Sequence, residues 1–315
     1  MAVMTLRVAA IDCGTNSIRL LIADIEAGKL TDVVRTMVIV RLGEGVDQTG
    51  QFSQAALQRT FAAVDTYAEL INQHKPTQIR FVATSASRDV SNRDEFVAGV
   101  VSRLGIEPDV ISGDEEAALS FLGATADLVN DANPPEAPFL VVDIGGGSTE
   151  FVLGTTKPTA AISTNVGCVR MTERHLVSDP PTAEEIAAAT ADIEAAIDLA
   201  WLAVPVSQAH SLIGLAGSVT TVAALALGLS EYDSTAIHGS RISAADVHRV
   251  TQDLLAMTRA DRAKLGPMHE GRIDVIGSGA LVLDRIMART GMTEVVVSER
   301  DILDGIARAL VSNPS

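Results

Sequence analysis

Residues 141–150 read VVDIGGGSTE, and residues 10–19 read AIDCGTNSIR. Each stretch is an apolar run that closes on an Asp, passes through glycine and hydroxyl residues, and enters a second apolar run. Setting Asp12 on Asp143 places Gly14 on Gly145, Ser17 on Ser148 and Arg19 on Glu150. In P-loops and Rossmann units a helix follows the glycines. Here a strand pattern follows instead, IRLLIADIE after the first loop and FVLG after the second. Each loop therefore reads as the tip of a hairpin, and the repetition implies a duplicated architecture.

Working outward, strands alternate with helices. LRVAAIDCG, TDVVRTMVIVRLG, QIRFVAT, PDVIS, SLIGLAG and TEVVVS read as strands. Residues 53–73 have helical spacing behind a Ser at the N-cap position. EFVAGVVSRLG reads as a helix stopped by Gly105, and GDEEAALSFLGATADL starts another. Thr182 and Glu185 form a capping box ahead of an Ala-rich helix reaching about Leu202. SVTTVAALALG, AADVHRVTQDLLAM, ALVLDRIMART and ERDILDGIARALV complete the helices. NDANPPEAP, residues 130–138, reads as a linker. Alternation of this kind is the mark of an α/β protein.

Composition narrows the function. The chain has 315 residues, enough for two domains, with 47% hydrophobic and 20% charged residues. Its net charge of −16 argues against duplex nucleic acid, which is bound by neutralising phosphates with Lys and Arg. An anionic substrate remains compatible, because backbone N–H groups, a metal and a few arginines suffice for a small phosphate site. The two cysteines, Cys13 and Cys168, read as free thiols in a reducing cytoplasm. SLIGLAGSVTTVAALALGL, residues 211–229, lacks charge, but its Gly, Ala, Ser and Thr content reads as a buried strand, turn and helix. No membrane association is expected.

The loops themselves suggest chemistry. Gly145, Gly146 and Gly147, with Ser148, let successive N–H groups form an anion-binding concavity. Carboxylates beside it would repel phosphate unless a cation intervenes. Mg²⁺, or Mn²⁺, prefers hard oxygens and keeps several waters, so Asp143 and Glu150 are the natural pair, with Asp12 a further candidate. Hydrolysis also needs a group to position or deprotonate water. Glu115 and Glu116 in ISGDEEAALSF are the candidates, against the alternative that both merely complement a helix N-terminus.

At this point the chain resembles the Ppx/GppA phosphatases of the actin/Hsp70/sugar-kinase superfold. The resemblance rests on AAIDCGTNSIRLLI, ATSASRDVSN, ISGDEEAALSFLGA, VVDIGGGSTEF, NVGCVRMTE, GLAGSVTTVAAL, GRIDVIGSGALVL and SERDILDG, in order along almost the whole chain. It implies two ribonuclease H-like (actin-like) domains, residues 1–125 and 126–298, with the active site in a cleft between them and a C-terminal helix, 299–315, packing back on the first. It implies Glu116 as the catalytic base, Asp143 and Glu150 as metal-linked acids, and Gly145–Ser148 as the phosphate loop. Asn16, Arg88, Cys168 and Arg272 fall on positions associated with the phosphate chain, with Ser17 beside them on the first loop. Cys168 would line the site without being a nucleophile.

The implied reaction is Mg²⁺-dependent release of terminal phosphate from inorganic polyphosphate, by an enzyme that is a candidate homodimer. Hydrolysis of guanosine pentaphosphate (pppGpp) is the alternative, and an ATP-dependent kinase of the same superfold a more distant one. AGSVTT departs from the more usual Gly-Thr form of its loop, which weakens a nucleotide role there. Long family members carry further C-terminal helical domains, so short to medium polyphosphate chains are the expected substrates.

Overall fold

The computed structural model describes residues 5–88, 90–129 and 133–312. With helices of eight residues or more numbered in chain order, the first part runs β1 (Leu6–Cys13), β2 (Ser17–Glu26), β3 (Lys29–Ile39), α1 (Gln54–His74), β4 (Gln78–Ala83), α2 (Arg93–Leu104), β5 (Asp109–Val110) and α3 (Gly113–Leu128). Next come β6 (Phe139–Ile144), β7 (Thr149–Gly154), β8 (Pro158–Thr164), α4 (Cys168–His175), α5 (Ala183–Ala203), β9 (Ser211–Leu215) and α6 (Ala216–Ala226). The chain closes with β10 (Arg241–Ser243), α7 (Ala244–Ala256), α8 (Ile276–Thr290), β11 (Glu294–Val297) and α9 (Ile302–Ser312). It divides into two compact units, Met1–Gly123 with Ile302–Ser315, and Ala124–Asp301. The first crossing falls inside α3, upstream of the proline-rich 130–138 read as a linker; residues 130–132 lie outside the described residues.

The duplication is real at the level of topology. The first sheet has the order β3-β2-β1-β4-β5 and the second β8-β7-β6-β9-β11-β10. In each, an antiparallel three-stranded meander is continued by parallel strands, and β10 adds an antiparallel edge to the second. This is the ribonuclease H-like arrangement of actin-type proteins.

Both faces of the first sheet are covered, which explains why β1 is an unbroken apolar run rather than an alternating one. Ala9, Ile11 and Cys13 join a core with Leu57, Val64, Tyr67, Phe96 and Val100 of α1 and α2. Val8 and Ala10 point into the other core, with Leu119 of α3 and Ile302, Leu303 and Ile306 of α9. Arg35 of β3 also reaches the buried Asp304 of α9 at 2.5 Å, so the C-terminal helix is held by packing and by an ion pair. In the second unit, Leu140, Val142 and Ile144 of β6 pack with Ile193 and Ile197 of α5 and with the largely buried α8.

Local signals act where they were read. Ser53 accepts from the N–H of Ala56, and Thr182 and Glu185 complete their capping box, with bonds of 3.2 and 2.8 Å. Gly105 ends α2 in the left-handed region at φ 70°. Residues 211–226 form β9 and α6, and no described helix is long and apolar enough to cross a membrane. Helix α4 and strands β8 and β10 are additions to the sequence reading, and β5 is only two residues long.

A Cβ on Gly305 would lie 2.0 Å from the carbonyl oxygen of Leu119 in α3. Helix propensity favours Ala over Gly by about 1 kcal/mol, but a backbone oxygen cannot rotate away. The clash should win: Gly305→Ala is expected to destabilise the first unit by about 1–3 kcal/mol, read as a lower midpoint in urea unfolding. A midpoint equal to or above wild type would show that α9 and α3 are not in this close contact.

Candidate active site

In the first unit, the carboxyl ends of the parallel strands gather one group of candidate residues, as open α/β sheets do. After β1 comes the loop 14–17, closed by the Gly14 N–H donating to the Ser17 carbonyl at 2.9 Å. Its outer side is wrapped by residues 40–43. The N–H groups of Val40 and Arg41 donate to the Asn16 carbonyl at 3.0 and 2.8 Å, and that of Gly43 to the Thr15 carbonyl at 2.9 Å. Arg41 adopts a left-handed φ of 50° in making this wrap. After β4 comes the short helix Ser85–Arg88, whose Ser85 hydroxyl meets that of Thr15 at 3.0 Å. Arg88 then donates to Oε2 of Glu116, in the first turn of α3, at 2.5 Å. Asn16, Ser17, Arg88 and Glu116 thus belong to one connected set.

The neighbouring acids Glu115 and Glu116 are sorted by their surroundings. The Glu115 side chain is 46% exposed and pairs with Arg80 at 2.7 Å, an ordinary surface contact. Glu116 is 7% exposed and meets Arg88.

In the second unit the loop 145–148 is closed in the same way, Gly145 N–H to Ser148 carbonyl at 3.0 Å. The loop carbonyls turn to the N-terminus of α4. The N–H of Cys168 donates to Gly145 at 2.9 Å, those of Val169 and Arg170 to Gly146 at 2.9 and 3.1 Å, and Nε of Arg170 to Gly147 at 2.8 Å. A Cβ on Gly167 would sit 2.4 Å from the Gly146 oxygen, so only glycine allows the approach. Among the described residues none accepts a hydrogen bond from the N–H of Gly146 or Gly147. That leaves N–H groups for an anion.

The acids at the loop bases differ between the halves. Asp12 is opposite Arg19 in the β1–β2 ladder, and Arg19 donates to its Oδ2 from Nη2 and Nε at 2.6 and 3.0 Å. Asp143 is opposite Glu150 on the corresponding rung, at 7% and 1% exposure. The first half supplies its own cation to Asp12. The second brings two hard oxygen ligands together, which fits Mg²⁺ held by one or two carboxylates and completed by substrate phosphate and water. No cluster of three or more His, Cys, Asp or Glu suited to a metal occurs among the described residues. A closed, all-protein metal cage is therefore not what these residues build.

Cys168 and Arg272 join the second half. Burial pushes the Cys168 thiol above its ordinary pKa, against opposing contributions from a Ser218 hydrogen bond and the positive charge of Arg272. Arg272 donates to the Thr221 hydroxyl at 2.9 Å. Its guanidinium lies on the backbone of Gly217, where a Cβ would be 2.5 Å from Cζ. The segment behind it is fixed by the buried Arg262, which donates to the carbonyls of Leu254 and Ile273 at 2.8 and 3.2 Å. The 40–43 wrap and Arg262 were missing from the sequence reading, which aligned Arg19 with Glu150 but did not pair it with Asp12. A signal for Arg19 was available: two steps outward from the closing pair Gly14 and Ser17 places Asp12 opposite Arg19.

With this geometry in place, comparison with known proteins is informative. The profile of the Ppx/GppA phosphatase family matches residues 21–311. The chain is 50% identical to exopolyphosphatase 2 of Mycobacterium tuberculosis (strain ATCC 25618 / H37Rv), with 96% of this chain and 98% of that one covered. It is 26% identical to a guanosine-5′-triphosphate,3′-diphosphate pyrophosphatase of Pseudoalteromonas atlantica, covering 97% of this chain and 58% of the longer relative. Among solved structures, an exopolyphosphatase-like protein superposes with a TM-score of 0.93 at 46% identity, covering 97% of both chains.

Because burial raises the Cys168 thiol and both cysteines are buried and unpaired, neither should act as a thiolate near neutral pH. The folded protein is expected to react negligibly with a thiol-specific disulfide reagent at pH 7.5, and Cys168→Ser to retain turnover within about tenfold, well short of the loss caused by removing a catalytic group. Rapid, stoichiometric labelling that abolishes activity would make Cys168 a reacting group.

Proposed function

Given that the chain belongs to the Ppx/GppA phosphatase family, we propose that it is an exopolyphosphatase, hydrolysing the terminal phosphoanhydride bond of inorganic polyphosphate. The observation that carries the substrate is the end-to-end likeness to a mycobacterial exopolyphosphatase. The guanosine-type relative matches less closely and only over part of its length. Polyphosphate and pppGpp present the same terminal group to the same loops, so a parallel phosphate-release assay on the two tests the assignment. Faster turnover of pppGpp would reverse it.

The proposed roles follow from the residues. The free N–H groups of Gly146 and Gly147, with Ser148, take oxygens of the terminal phosphate. Asp143 and Glu150 would hold Mg²⁺ or Mn²⁺, which would offset charge on the phosphate. Glu116 accepts a proton from the water whose oxygen attacks the terminal phosphorus; the bridging P–O bond breaks, and orthophosphate leaves a chain one unit shorter. Arg88 already holds Glu116 at 2.5 Å, so an arriving phosphate oxygen and the carboxylate compete for one guanidinium. Arg272 and Asn16 bind further along the phosphate chain. Two unpaired, buried cysteines support a reducing compartment such as the cytoplasm.

Glu116→Gln is expected to lower kcat by roughly 10²- to 10⁴-fold and to leave polyphosphate affinity equal or slightly improved, since a negative charge near a polyanion is lost. Glu115→Gln breaks only the exposed pair with Arg80 and should change stability by less than about 1 kcal/mol, with little effect on rate. Equal effects of the two substitutions on kcat would refute the assignment of Glu116.

Chain length follows from charge. At −16 the protein repels whatever part of a polyanion lies outside its phosphate-binding groups. Short and medium chains should be preferred, and the penalty on long chains should shrink as salt rises and the Debye length falls from about 10 Å at 0.1 M. A preference for chains of hundreds of phosphates at low salt would contradict this reading.

A further inference from the structure

Glu150 is almost fully enclosed, yet it must present an oxygen in a fixed direction if it shares a cation with Asp143. Its three side-chain torsions leave that direction open unless something holds the carboxylate. The structure supplies a holder. Ser163, directly opposite Glu150 in the β7–β8 ladder, donates its hydroxyl to Oε1 at 2.7 Å. We propose that Ser163 is a positioning residue for the metal-linked carboxylate Glu150, fixing Oε1 so that the pair Asp143 and Glu150 is set before any cation arrives. The inference rests on the reading of that pair as the metal site.

Two further observations carry it. First, the strand bearing Ser163 is itself clamped at the base of the phosphate loop. The Thr149 hydroxyl donates to the Val166 carbonyl at 2.7 Å, and the Thr164 hydroxyl to the Thr149 carbonyl at 3.1 Å. The rung next to Ser163, on its loop-facing side, is therefore tied across both strands. Second, the duplicated half shows what happens where no such holder is needed. The counterpart of Glu150 is Arg19, and the residue opposite it on β3 is Met37, which carries no O–H or N–H on its side chain. The donor type also matters. A guanidinium fixes a carboxylate and discharges it, as Arg19 does to Asp12. A neutral hydroxyl fixes a carboxylate and leaves its full negative charge for a cation.

The test measures metal directly. Mn²⁺ binding is followed by electron paramagnetic resonance, without substrate, for wild type, Ser163→Ala, Ser163→Thr and Asp143→Asn, each checked for native circular dichroism. Loss of an outer-shell partner typically costs 10- to 100-fold in metal affinity, so Ser163→Ala should bind Mn²⁺ about that much more weakly. Ser163→Thr, which keeps the hydroxyl, should recover most of the loss. In turnover, Ser163→Ala should raise the half-saturating Mg²⁺ concentration by a similar factor while kcat at saturating Mg²⁺ recovers. Unchanged Mn²⁺ affinity in Ser163→Ala beside weakened binding in Asp143→Asn would overturn the role of Ser163 alone. Wild-type affinity in Asp143→Asn would overturn the metal pair and this inference with it.

Discussion

A carboxylate buried at the base of a glycine loop has to be paired or hydrogen-bonded, and both units of this molecule are built around such a carboxylate. Removing a carboxylate from water is costly unless it is paired or hydrogen-bonded. Asp12 and Asp143 are 4% and 7% exposed, and both lie two steps outward from the pair that closes a glycine loop. In one half the balance is a fixed guanidinium, Arg19. In the other the opposing residue is Glu150, a second acid, which is why this rung is the one proposed to take a metal ion. One hairpin topology, used twice, thus places a guanidinium opposite the loop carboxylate in one unit and a second carboxylate opposite it in the other.

The fold serves this rung by stacking parallel strands beside each hairpin. In the first unit, β4 and β5 end level with β1, since Ala83 pairs with both Cys13 and Val110. Their exits therefore deliver the Ser85–Arg88 turn and the first turn of α3 to the side of the loop. The second unit repeats the device with β9, where Leu215 pairs with Asp143 and leads straight into α6. Ala216, at the entrance to α6, has a left-handed φ of 68°. A non-glycine residue there is unfavourable, and it stands where the backbone must turn tightly for Gly217 to accept the guanidinium of Arg272.

What was legible in the sequence follows the range of the interactions. The hairpins, the capping box at Thr182 and the stop at Gly105 depend on residues a few positions apart, and each was readable. A duplicated α/β architecture was readable because the hairpin is repeated; the ribonuclease H-like class came from the resemblance to the Ppx/GppA phosphatases. Helix α4 was not. Its eight residues, CVRMTERH, are too short for periodicity to emerge, and its start is dictated by loop carbonyls that lie more than twenty positions upstream. Strand β8 starts at a proline and lies at a sheet edge, so it lacks the apolar run that marks a central strand. The prolines at 130–138 signal a loop, whereas the contacts that divide the two units change upstream of it, at 123/124, within a continuous helix.

The site shows the same division in sharper form. Glu115 and Glu116 are adjacent, equally acidic and both in the first turn of α3, so nothing local separates them. A helical step of about 100° between neighbours does. It sends Glu115 to solvent and Arg80, and Glu116 inward to Arg88. Arg88 in turn is set by a turn that the Thr15–Ser85 hydroxyl pair joins to the first glycine loop. The surroundings of Glu116, the proposed base, are thus set by a chain of contacts running from residue 15 through 85 and 88 to 116. Physical pattern-reading could propose the pair of acids; only the folded chain, by burying one and exposing the other, distinguishes between them.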